Sequence, residues 1–203
     1  QAHQDFATLR KYLETHGAET LVGAEGGFSP ADFDNIKALD MIKTLFPGKK
    51  IALDIAASFG TVPDYSLLLT HYNLVSIEDP FKEDDWEKWA TFFQKYQSRL
   101  QIVGDDLTTT NPDRISKAVG LNTINAVVIK PNQIGTISKA LAAVETARKY
   151  GLKIIVSHRG DETNDTWIVD FALIVNADFV KLGGMDRGER IAKYNRLLEF
   201  QNL

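Results

Sequence analysis

Six residues able to do acid–base or cation-binding chemistry recur along the 203-residue chain: Asp54, Glu78, Asp105, Lys130, His158 and Lys181. The gaps between them are 24, 27, 25, 28 and 23 residues. Three carboxylates gathered in one cavity repel one another, and all stay ionised only with a cation among them. An all-oxygen donor set suits a hard divalent ion, most simply Mg2+, which keeps waters and takes substrate oxygens as further ligands. A lysine next to such an ion can serve as a base, and a second cationic group can hold an anionic substrate. A single strand-end acid is ordinarily a turn or a helix cap, a strand-end lysine a solvated terminus, and a lone histidine structural. Six in phase point instead to a collective site. Asp79 and Asp106, which directly follow two of the acids, read as caps or as groups that support the ligands.

The elements that must carry these residues are short and apolar. They are "KIALDIAAS" (50–58), "NLVSIEDP" (73–80), "LQIVGDD" (100–106), "NAVVIKP" (125–131), "LKIIVSH" (152–158) and "ADFVKLGG" (177–184). Each is too short for a stable helix and too continuously apolar for a strand with one wet face, which is the signature of a parallel sheet buried on both sides. Each of the six polar residues falls at or near the C-terminal end of its run. The interval between them is what a strand, a loop and a returning helix require.

The intervening segments agree. Residues 134–150 predict a helix with Ile137, Leu141 and Val144 on one face, and 82–97 a helix with Trp86, Trp89, Phe92 and Phe93 on another. Ser29 and Pro30 have the form of a helix N-cap and first position, as do Asn111 and Pro112. Residues 186–200 predict a final helix, "DYSLLLTHY" a short one, and the chain opens on a helix already under way. Repeated βα units close into a (β/α)8 barrel or spread into a doubly wound sheet. The barrel is favoured, because it gathers strand C-terminal ends at one mouth and no glycine-rich dinucleotide fingerprint follows any strand. "GAEGG" (23–27) precedes the first clear strand.

Composition excludes several classes. At 44% hydrophobic and 25% charged, the chain is globular in type and long enough for a real core. A net charge of −4 gives no electrostatic footprint for nucleic acid. No apolar run reaches the length of a membrane span, and residues 1–17 lack the apolar core of a signal peptide. The absence of cysteine rules out disulfides and thiolate chemistry and fits a reducing compartment, so a cytoplasmic location is expected.

Six stretches carry a more specific signal: "GAEGGFSP", "SIEDPFKEDDWEKW", "IVGDDLTTTNPDRI", "IKPNQIGT", "VSHRGDETNDT" and "GERIAKYNRLL". In type and order they resemble enolase, the phosphopyruvate hydratase of glycolysis, and the resemblance covers nearly the whole chain. It implies an enolase-superfamily TIM-type barrel and a Mg2+-dependent lyase that reversibly dehydrates 2-phospho-D-glycerate to phosphoenolpyruvate. Asp54, Glu78 and Asp105 would ligate the metal, Lys130 would act as base, and Glu25 as the acid that helps hydroxide leave. His158, Arg159 and Lys181 would bind substrate, with Glu78 and Asp105 also facing it. Enolase-superfamily chemistry pairs a Lys or His base with one or two Mg2+ ions.

Several positions depart from the family pattern. Ala24 stands where an aspartate is usual, and Gly160 followed by Asp161 replaces a serine. The segment after Asp54 is short. The first two barrel strands and an N-terminal α+β domain are expected to be absent, so one barrel portion is expected over 1–203, with sheet edges needing cover. A second copy of the chain or a separate N-terminal half would supply that cover. Two alternative functions follow: a non-catalytic enolase-derived fragment or binding protein, and a divergent lyase acting on another carboxylate.

Overall fold

The computed structural model describes residues 1–201; Asn202 and Leu203, the last two of the expected 1–203 span, lie outside the described residues. The elements in chain order are α1 (Ala2–Thr15), α2 (Asn35–Leu45), β1 (Ile51–Asp54), α3 (Tyr65–His71), β2 (Leu74–Glu78), α4 (Trp86–Tyr96), β3 (Gln101–Gly104), α5 (Pro112–Gly120), β4 (Ala126–Ile129), α6 (Pro131–Ile134), α7 (Ile137–Lys149), β5 (Lys153–Ser157), α8 (Trp167–Ile174), β6 (Phe179–Lys181) and α9 (Gly188–Gln201). The described residues divide into two compact units, one of 1–49, 158–173 and 181–201, the other of 50–157 and 174–180.

The second unit carries the sheet, in the order β1-β2-β3-β4-β5-β6. The four pairs from β1 to β5 are all parallel. A doubly wound sheet reverses its strand order at a switch point. Here each strand instead bonds to the next in sequence, as in a (β/α)8 barrel, and six of eight strands are present among the described residues. The fold is therefore α/β of the TIM-barrel type, incomplete. Every one of the six apolar runs contains its strand.

Burial follows position in the sheet. All four residues of β4 are buried, and Val103, Ala126, Val128 and Ile155 form one core cluster across β3, β4 and β5. The valines and the isoleucine stabilise by roughly 1.5–3 kcal/mol each when fully removed from water. The end strands are wetter: β1 alternates partly buried with exposed, and Phe179 and Val180 of β6 are exposed.

Three helix expectations change. Residues 134–150 are not one helix: Gly135, at φ +95°, ends α6, and Thr136 restarts the chain as N-cap of α7, accepting the Lys139 N–H at 3.3 Å. A positive φ at that point is cheap only for glycine. The buried stripe of α7 is Ala140, Ala143, Val144 and Ala147, while Ile137 and Leu141 are exposed. Small side chains let the helix lie close to its neighbours, and that closeness outweighs the larger area of the two aliphatics. Asp34, not Ser29, caps α2, accepting the Lys37 N–H at 2.8 Å. Ser29 is engaged elsewhere, its N–H donating to Leu21 O at 3.1 Å next to a Val22–Phe28 bridge. Asn111 and Pro112 start α5 as expected.

Candidate functional site

The polar residues of the six runs sit at strand ends for one geometric reason. Asp54, Glu78 and Lys181 are the last residues of β1, β2 and β6, and Asp105, Lys130 and His158 directly follow β3, β4 and β5. A parallel sheet aligns its C-terminal ends, so Asp54, Glu78, Asp105 and Lys130 of the second unit, about 25 residues apart in sequence, arrive at one edge. Asp54 and Glu78 are register partners on β1 and β2, one strand spacing of about 4.8 Å apart in the backbone. Asp54 Oδ1 accepts the Ala56 N–H at 3.1 Å, with Ala56 at φ +47°.

Asp105 is 5% exposed. Its Oδ2 accepts from Lys130 Nζ in a close ion pair, while its Oδ1 is buried with no hydrogen-bond partner among the described residues. A buried carboxylate oxygen left unpaired is costly. Its electronegative demand fits a hard cation, which is the test the residues present must pass for a metal. Lys130 is anchored through its backbone: its N–H donates to Thr110 Oγ1 at 2.8 Å, and Thr110 Oγ1 donates to Gln133 Oε1 at 3.1 Å. The threonines after Asp105 build the turn, with the Thr109 N–H donating to Asp105 O at 2.7 Å and Thr108 Oγ1 to Gly104 O at 3.0 Å.

Asp79, Asp105 and Asp106 form a metal-capable acidic cluster, each offering a carboxylate oxygen within 4.8 Å of the others. Asp79 has a different task from Asp105. It sits at φ +43° and is 2% exposed. Its Oδ1 accepts the Asp105 N–H at 3.0 Å and its Oδ2 the Asp106 N–H at 2.8 Å. Burial, reinforced by the charges of Asp105 and Asp106, pushes the Asp79 carboxyl up to about 7 against the lowering effect of those two amides. Burial and Asp105 also raise Asp106. Asp79 thus spends both oxygens shaping the loop, and Asp105 keeps one oxygen without a hydrogen-bond partner among the described residues.

The first unit carries Glu25, His158, Arg159 and Lys181. The His158 N–H donates to Lys181 O at 2.9 Å, and His158 Nε2 lies 3.6 Å from Glu25 Oε2. That histidine is the leading cause holding the Glu25 carboxyl down at about 2. Glu25 is consequently ionised in the free chain. Its backbone is fixed by Gly184, whose N–H donates to Glu25 O at 2.7 Å, and a Cβ on Gly184 would lie 1.9 Å from Gly26 O. Only glycine permits that approach.

Sequence reasoning missed the residues behind this loop. Arg190 and Lys193 on α9 are fully buried. Lys193 pairs with Glu162 Oε2 at 2.8 Å, and Glu162 Oε1 accepts the Arg159 N–H at 3.0 Å. Burial raises the Glu162 carboxyl, but Lys193 and the Arg159 amide outweigh it and leave it lowered. The available signal was weak: two basic residues three apart on a helix usually mean a wet face.

An α/β chain of barrel type belongs to a fold class whose enzymes place their chemistry at the C-terminal ends of the strands. Residues 61–202 match the family described as Enolase, C-terminal TIM barrel domain. The chain is 42% identical over 223 residues to a protein named Enolase from Bifidobacterium adolescentis, covering 97% of this chain and 52% of that one. It is 38% identical over 225 residues to a protein named Enolase from Helicobacter pylori, covering 97% and 53%. The chain belongs to the enolase family, and it spans about half the length of these curated relatives.

Proposed function

We propose that this chain supplies the C-terminal barrel portion, residues 1–203, of an enolase-type lyase that interconverts 2-phospho-D-glycerate and phosphoenolpyruvate. The observation that carries the reading is the Asp105–Lys130 pair at adjacent strand ends, with Asp105 Oδ1 buried and unpartnered. One group is a candidate base and the other a candidate ligand. Family membership supports the rest. Asp54, Glu78 and Asp105 would hold Mg2+, which when bound supplies positive charge to stabilise the carboxylate of the substrate as its α-proton leaves. Lys130 takes that proton. His158, Arg159 and Lys181, with Glu78 and Asp105, bind the substrate.

Glu25 has to arrive at its role by a change of state. It is ionised in the free chain, and an acid must carry a proton. The anionic substrate provides the change, because a nearby negative charge raises a carboxyl pKa. Among the described residues no helix is long and apolar enough to cross a membrane. A cytoplasmic location is proposed together with the enolase reading. A second copy of this chain or an N-terminal half is the partner proposed for the exposed end strands.

The test is phosphoenolpyruvate formation followed by ultraviolet absorbance, using the chain alone and the chain mixed with the N-terminal half of a relative. Chelator-sensitive turnover that falls by a factor of about 1,000 or more in Lys130→Ala is expected. Turnover that survives this substitution, or that is unaffected by chelator, rejects the assignment. Complete inactivity of both preparations, with binding retained, favours the non-catalytic alternative. A second lyase reading is favoured by Gly160 and Asp161, both exposed where the family usually carries a serine; turnover of a non-phosphorylated hydroxy acid in preference to 2-phosphoglycerate identifies it.

A further inference from the structure

Arg190 is the most deeply committed charge in its unit, and nothing in the proposed chemistry uses it. Its side chain is 0% exposed. One terminal nitrogen donates to His158 Nδ1 and, at 2.8 Å, to Arg159 O. The other donates to Gly160 O at 2.6 Å and to Ala24 O at 3.2 Å. Among the described residues no carboxylate pairs with those nitrogens; Glu189 Oε1 lies 3.8 Å from Nε. Burying a guanidinium against carbonyls and a ring nitrogen costs more than an apolar residue of the same volume would. The arrangement suits a planar fork, whose two terminal nitrogens reach four acceptors; an ammonium offers one nitrogen with three donors.

The bond to Nδ1 has a chemical consequence. Arginine only donates, so Nδ1 must accept, and the ring hydrogen is then on Nε2, the nitrogen that faces Glu25. Holding one imidazole nitrogen from behind sets both the tautomer and the direction of the other, as in sites where an outer partner aims a working histidine. The same fork grips the backbone on both sides of the pair, at Ala24 beside Glu25 and at Arg159 and Gly160 beyond His158.

We infer that Arg190 is the positioning residue of the Glu25–His158 pair: it presents His158 Nε2–H to the Glu25 carboxylate and ties together the two loops that carry them. The inference rests on the reading of Glu25 as the acid, and it names what keeps that acid aligned.

The test reads Glu25 directly in this chain, without turnover. Carbon-13-labelled glutamate carboxyls are titrated in wild type, Arg190→Lys and His158→Gln. The lysine variant keeps the positive charge and removes the fork, so any change reports alignment and not charge. The ionisable groups acting on Glu25 are His158, neutral in the tautomer that Arg190 sets, and the cations Lys181 and Arg190. Wild-type Glu25 stays ionised down to about 2. Both variants are expected to lift it towards the ordinary glutamate value of about 4.3. A lysine variant that titrates like wild type while His158→Gln moves Glu25 overturns the inference. A nitrogen–nitrogen scalar coupling between Arg190 and His158 Nδ1 in wild type provides a second arm that needs no variant to fold; its absence also overturns the inference. Failure of the enolase reading appears as absent turnover in the complete enzyme and leaves the Glu25 titration unchanged.

Discussion

Asp79 and Asp105 are both buried carboxylates, and the atoms that reach them give them opposite tasks. Asp79 has a backbone N–H on each oxygen. Asp105 has Lys130 on one oxygen and nothing on the other. If Asp105 ligates the metal, Asp105→Asn should weaken Mg2+ binding tenfold or more, about 1.4 kcal/mol, as read by calorimetric titration of the chain. Equal Mg2+ affinity in the variant and wild type would remove Asp105 from the ligand set. The residue types were readable in advance, because a polar side chain at the end of an apolar run is a one-dimensional signal. The division of labour between neighbouring acids was not, because it depends on which amides a loop turns towards which oxygen.

Helix termini connect to the site through a short series of contacts. Asn111 Oδ1 accepts the N–H groups of Asp113 at 2.8 Å and Arg114 at 3.4 Å, which starts α5. Arg114 then reaches back, donating to Leu107 O at 2.6 Å and Glu83 O at 3.0 Å. The cap therefore supports the turn that follows Asp105 as well as the helix. Asn111→Ala should lower the unfolding free energy by about 1 kcal/mol, measured as a lower urea midpoint at unchanged slope. An unchanged midpoint would show that α5 and its tertiary contacts hold without the cap. Asn-Pro before an apolar pattern made this helix start legible. Ser29-Pro30 carries the same signal and does not start a helix, because a bridge at Val22 and Phe28 already uses that backbone. Local chemistry proposes a cap, and non-local pairing can take the residue away. In α7 the same competition replaces the predicted Ile137 and Leu141 face with an alanine stripe.

At the scale of the whole chain, one carboxylate of the second unit makes a traceable contribution to acid sensitivity. Asp178 accepts from Lys153 Nζ at 2.8 Å, from the Ile154 N–H at 2.9 Å and from Arg148 at 2.9 Å. It thereby ties α7 and β5 to the segment entering β6. Burial acts to raise this carboxyl, but the three donors outweigh it and hold it down at about 2. A depressed folded value means stability that is present above the unfolded value of about 3.9 and is lost as pH falls through about 2. Asp178→Asn should therefore cost about 1 kcal/mol at pH 6, allowing for solvent screening, and nearly nothing near pH 2. Denaturant unfolding at the two pH values checks this, and a difference independent of pH would contradict the linkage.

The order of residues along the chain was enough to determine the βα period, the strand ends and the polar residues that stand at those ends. Burial on both faces imposes an apolar run, and the polar residue closing each run stands out from it. The enolase signatures were legible for the same reason, being contiguous stretches. The tertiary structure alone decided which oxygen of Asp105 is left unpartnered, that Asp79 shapes the loop, and that Arg190 and Lys193 stand behind the Glu25–His158 pair. Arg190 meets His158 across 32 residues of sequence, and Asp79 meets Asp105 across 26. Such contacts are set by how strands and helices pack, and no local pattern of residue types records them.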